Sequence, residues 1–134
     1  MREIEDWKIK IASLWIVFGC GSIVAGILES WMPGWIEGII AGENLGMQYT
    51  PEFILGFAVV FMIPLFMAFL SLTLNDSMNR WVNIIGGIAL AVLTTIGLSN
   101  FLAQLSPWAV FIWLSQVVAL ALVIWYAWKS KQKT

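Results

Sequence analysis

Four stretches of this chain, 11–28, 53–74, 81–99 and 108–128, each run for about twenty residues with no charged side chain inside. A hydrocarbon core roughly 30 Å thick, crossed at 1.5 Å per residue, needs a helix of about that length. Open strands cannot satisfy their backbone in lipid, and these runs lack the alternation of barrel strands. Composition points the same way: 134 residues are 60% hydrophobic and 11% charged, against about 25% charged in soluble domains. So few polar groups could not cover the roughly 30% of chain surface that a folded domain of this size leaves exposed. The expected fold is all-α: a polytopic membrane protein with four transmembrane helices in an up-down bundle, one domain over 1–134. The first run has signal-peptide character, but three spans follow and no small-x-small cleavage site closes it, so it is read as retained.

Orientation follows from the basic residues. Arg2, Lys8 and Lys10 precede the first span, Arg80 sits in the link between the second and third, and Lys129, Lys131 and Lys133 follow the fourth. The segments 29–52 and 100–107 hold no Lys or Arg. Every basic residue then falls on one face, which the positive-inside rule assigns to the cytoplasm with both termini. Trp7, Trp81, Trp125 and Trp128 form the inner aromatic belt, and Trp31, Trp35 and Trp108 the outer one. The pairs Asp6/Lys10 and Asp76/Arg80, four apart, suit short helical extensions at the inner interface.

The outer segment breaks at Pro33-Gly34, after which Trp35, Ile36, Ile39 and Ile40 recur with helical spacing. A short interfacial helix between spans one and two fits, with Glu37 turned to water. Glu29, Glu37, Glu43 and Glu52 share this face with no basic partner. They read first as a solvated face and second as a cation-attracting mouth, having no EF-hand spacing.

With no histidine and one cysteine, the chain has no imidazole base, no His ligand for metal or haem, and no internal disulfide. No cofactor, no metal and no enzymatic activity are expected, and nucleic-acid binding lacks a basic footprint. Polar side chains inside the spans are the remaining candidates. Pro64 removes the helical donor to the Val60 carbonyl, and at similar depth lie Ser22, Thr94, Thr95, Ser115 and Gln116. These could line an uncharged pocket in the outer half of the bundle, lidded by Trp31 and Trp35. Alternatively the hydroxyls bond their own helix and Gln116 ties helices together. On the third span Asn83, Gly87, Ala91 and Thr95 recur every fourth residue, a narrow small or polar face suited to close helix packing, inside the monomer or against a second copy. Cys20, between Gly19 and Gly21, reads as a small apolar residue.

The pieces Ile63-Pro64, Met67, Leu70-Ser71, Leu74, Asn79-Arg80-Trp81, Asn83-Ile84-Ile85 and Gly87 resemble a family of small four-span bacterial and archaeal membrane proteins of unknown function. Leu14-Trp15-Ile16 and Trp125-Tyr126-Ala127-Trp128 look like its other recurrent pieces, so the likeness covers most of the chain. It implies the four-span fold and carries no reaction. Where that family often places Asn and Asp in the first span and an acidic residue before the proline, this chain has Phe18-Gly19-Cys20-Gly21 and Met62.

Two functions follow. The absence of intramembrane charge, which usually marks the relay of a pump or transporter, favours a non-catalytic helix-bundle module. Such a module would pack with copies of itself as a homo-oligomer, or with another membrane protein in the lipid bilayer. The alternative is a transporter or channel for a small neutral or cationic solute, built on the outward-facing polar pocket.

Overall fold

The computed structural model describes residues 5–99 and 106–130; Arg2, Lys131, Lys133 and the link over 100–105 lie outside the described residues. In chain order the elements are α1 (Asp6–Glu29), α2 (Trp35–Ala41), a hairpin of β1 (Glu43–Asn44) and β2 (Met47–Gln48), α3 (Pro51–Thr73), α4 (Asp76–Ser99) and α5 (Pro107–Lys129). Four of these helices, α1, α3, α4 and α5, are long and apolar enough to cross a membrane. The short α2 lies between the first two of them, and the fold is all-α apart from the two-residue strands.

Local chemistry sets the ends. Thr50 caps α3 by accepting the Phe53 N–H at 3.2 Å, and Pro51 and Pro107 occupy first turns, where a missing N–H costs nothing. The third span differs from the apolar run that announces it, starting at Asp76 rather than Trp81. Asn75 is the reason: its Oδ1 accepts the Met78 N–H at 3.0 Å and starts the helix early. Arg80 is therefore a helical residue and not part of the link, which shrinks to Leu74 and Asn75.

The helices do not pack evenly. Helix α1 lies along both α3 and α5, and α5 lies along α4, whereas α3 and α4 share few contacts although only two residues join them. Around the bundle the order is α3, α1, α5, α4. One end is drawn together: Lys8 Nζ reaches the Leu74 carbonyl at 3.5 Å and Asp76 at 2.8 Å, and the Lys10 ammonium lies 5.5 Å from the Tyr126 ring centroid. This end, which holds the amino end of α1, the α3–α4 link and the carboxyl end of α5, is called the basic end below. At the hairpin end α3 and α4 stand apart.

Glycines place α1 between its neighbours. A Cβ on Gly19 would sit 3.3 Å from Leu65 and 3.5 Å from Pro64 of α3, and one on Gly21 would sit 3.6 Å from the Gln116 amide of α5. At about 100° per residue the two positions point to opposite sides, so α3 and α5 each approach a bare stretch of backbone. Cys20 between them is exposed on the outside of the bundle.

Above the open end sits a small cap. Leu45 (φ 51°) and Gly46 (φ 77°) both take the left-handed conformation in the two-residue loop that joins β1 to β2. That is the type I′ geometry matching the strand twist, taken at Leu45 against a steric cost of about 1–2 kcal/mol. The Asn44 amide donates to the Trp35 carbonyl at 3.1 Å and to the Tyr49 hydroxyl at 3.0 Å. Gly38 leaves room for it, since a methyl there would strike the Asn44 amide and come within 2.7 Å of the Glu43 carbonyl oxygen. Helix α2 and the hairpin are thereby tied into one unit.

Candidate functional site

Two polar regions sit inside the bundle. The one nearer the basic end is dry. Asn83 of α4, 1% exposed, accepts through Oδ1 from the Trp15 indole N–H at 2.6 Å and from the Ser71 hydroxyl at 3.1 Å. Its Nδ2 donates to Oδ1 of Asn79 at 2.6 Å and to the Asn79 carbonyl at 2.8 Å. The Asn79 amide in turn donates to the Ser71 carbonyl at 2.7 Å. An indole nitrogen can only donate, so the Asn83 amide has one possible orientation, and α1, α3 and α4 are locked together through it. Ser71, Trp15 and Asn79 were not singled out from the sequence as a set. Their signal was a pair of asparagines four apart on an otherwise apolar face, which need partners once in lipid.

The packing face of α4 continues from this network. Gly87 is buried against α5, where a Cβ would meet Ile124 at 2.9 Å and the Leu120 carbonyl at 3.7 Å. Ala91, half-buried, packs against the core a turn further on. Asn83, Gly87 and Ala91 therefore face inward.

The second region is a cavity of about 570 Å³ in the hairpin half, between the separated hairpin-end parts of α3 and α4 and lined by all four long helices. Its deep end is made by Phe18, Pro64, Leu90 and Gln116, each buried. Along one wall Tyr49, Phe53, Phe57 and Phe61 succeed one another every fourth residue with ring centroids 5.8, 4.9 and 5.7 Å apart. The facing wall carries Trp108 and Trp113, and Trp35, Met47 and Tyr49 bring the cap to its rim. Polar groups are few. Gln116 Nε2 donates to the Ser22 hydroxyl at 2.8 Å and to the Phe18 carbonyl at 3.3 Å; since that carbonyl only accepts, the amide nitrogen must face it. Trp113 Nε1 is buried and makes no hydrogen bond among the described residues. Glu29 stands at the end of α1 on the same lining.

Of the residues picked out by sequence, Ser22, Val60, Pro64, Thr94, Gln116 and Trp35 line this cavity. Thr95, Ser115 and Trp31 do not. Neighbours on a helix point about 100° apart, so Thr94 and Gln116 face the cavity while Thr95 and Ser115 turn outward and bond the carbonyls of Ala91 and Phe111 at 2.8 and 2.9 Å. Trp31 is 74% exposed, in the turn before Pro33. The aromatic ladder on α3 escaped the sequence reading, because phenylalanines four apart look the same whether they meet lipid or a cavity. Among the described residues no three carboxylate or cysteine groups gather as metal ligands would, and Glu29 is the only one of the four outer glutamates on the lining.

Fold and site together describe a small membrane protein of four spanning helices, closed by a polar lock at one end and hollow at the other. The chain belongs to a family of unknown function, DUF6326, which matches residues 3–134. Comparisons with curated proteins and with solved structures give no match.

Proposed function

We propose that this protein binds a small aromatic or lipophilic cationic solute in the hairpin-end cavity, as the outward-open state of a non-catalytic carrier. The observation that carries this reading is the cavity itself: a volume within the range of small-molecule sites, walled by a ladder of aromatic faces, which attract cations as well as apolar rings. Glu29 on the same lining adds a carboxyl group, and the Gln116 amide and the Trp113 indole offer hydrogen bonds at depth. The gap between α3 and α4 gives such a solute a path from the lipid.

Tetraphenylphosphonium is a suitable probe, because Trp35, Trp108 and Trp113 on the lining should report it by fluorescence quenching. Saturable quenching is expected, weakened about tenfold by Phe57→Ala, which removes one aromatic face from the ladder. Absence of saturable quenching by this cation and by a neutral aromatic of similar size sinks the proposal.

A second reading has one observation in its favour: both protons of the Gln116 amide are already engaged between α1 and α5. On this view Gln116 is a strut, the protein is a self-associating or partner-binding module, and a neighbouring helix fills the α3–α4 gap. Gln116→Leu would then alter stability by roughly 0.6 to 2 kcal/mol and no solute would bind.

In either case we place the protein in the cell membrane with the basic end in the cytoplasm. In a Cys20→Ser background, single cysteines at Glu43 and Ser130 should react with an impermeant maleimide from opposite sides. Reaction of both from outside rules this orientation out.

A further inference from the structure

At the basic end Arg80 presents a charge with no counter-charge among the described residues. It is 8% exposed, and its guanidinium carbon lies 5.0 Å from the Trp81 ring centroid and 4.8 Å from that of Trp128. The Nε atom is buried and makes no hydrogen bond among the described residues. Among the described residues no carboxylate pairs with it; the nearby acid, Asp76, is taken by Lys8 at 2.8 Å. Buried cations are ordinarily paired, because losing water costs several kcal/mol per ion. Two indole faces offset part of that loss but supply no acceptor for a group that carries five N–H donors.

We propose that Arg80, gripped between Trp81 and Trp128, binds the phosphodiester of an anionic phospholipid. Three observations converge on that occupant. Trp81 and Trp128 are half exposed at the end of the spanning helices, the depth at which tryptophans sit among headgroups. A guanidinium placed between two ring faces can pair with a phosphate through two N–H bonds, which a lysine would not do. Two further cations stand at the same end, Lys10 over Tyr126 and Lys129 over Trp125, beside the acids Glu5 and Asp6 at the start of α1, whereas Lys8 is neutralised by Asp76. Basic pockets between spanning helices are a recurrent way to hold anionic headgroups.

The test is lipid retention by the full-length protein, read by native mass spectrometry from detergent supplied with equal phosphatidylglycerol and phosphatidylcholine. A preference for phosphatidylglycerol of about fivefold is expected, one basic side chain's share. Arg80→Gln should abolish it, and Lys129→Gln, which removes a cation outside the two-ring clamp, should only reduce it. If Arg80→Gln does not fold, Arg80→Lys is read instead, with a reduced preference expected from loss of the planar fork. Equal retention of the two lipids by the wild type overturns the proposal, as does an unchanged preference in the Arg80 variant. A third arm adds millimolar inorganic phosphate without lipid. Thermal protection equal to that from phosphatidylglycerol would make soluble phosphate the ligand and overturn the lipid assignment; protection by the lipid alone supports it.

Discussion

Replacing Asn83 by leucine should lower stability by about 2 to 3 kcal/mol, measured by SDS-induced unfolding from mixed micelles. The side chains are similar in size, so little of the loss comes from packing. It comes from the Trp15 indole N–H and the Asn79 amide oxygen, which lose their partner where no water replaces it. A buried donor or acceptor left alone costs about 1 to 3 kcal/mol, less in a membrane because the separated helices find other partners. Asn83→Asp separates this account from a purely steric one. It keeps the shape but turns a carboxylate oxygen toward two acceptors of Asn79, so it should be worse than leucine. If aspartate is tolerated better, the network does not hold the bundle in the way described.

Gly87→Leu should cost about 1 to 3 kcal/mol, the usual penalty for overfilling a close-packed interior, and should loosen α4 from α5. The first added carbon already lies 2.9 Å from Ile124, with the Leu120 carbonyl behind it. Gly87→Ala asks only that Ile124 turn aside, so its effect should be markedly smaller. Thermal unfolding in detergent ranks the three proteins, and wild-type stability in Gly87→Leu would mean that this face of α4 meets lipid.

The spans were legible in the sequence because a charge-free run of bilayer length has few other uses. The interfacial helix was legible too, from the spacing of Trp35, Ile36, Ile39 and Ile40. The hairpin after it was not, since strands of two residues leave no alternation to read. The start of α4 at Asp76 was legible from the spacing of Asp76 and Arg80, four apart, although the apolar run itself begins only at Trp81. Depth along each helix placed Ser22, Pro64, Thr94 and Gln116 at one level, but depth says nothing about which way a side chain turns. That is why Thr95 and Ser115, at the same level, fall on the other side of their helices. The asymmetry of the bundle lay furthest from view, because it depends on bare backbone at Gly19, Gly21 and Gly87 facing particular side chains of other helices.

Mechanically, the pairing of α3 with α4 makes a cantilever. Its fixed end is the short link with the hydrogen bonds that the Asn79 amide donates to the Ser71 carbonyl and the Ser71 hydroxyl donates to Asn83. Its free end is the outer part of α3, joined to the rest at Pro64, where one rung of the helical ladder is missing. Stiffness is thus concentrated at one end and compliance at the other. A bend at Pro64 would change the width of the gap between α3 and α4 and leave the asparagine lock in place.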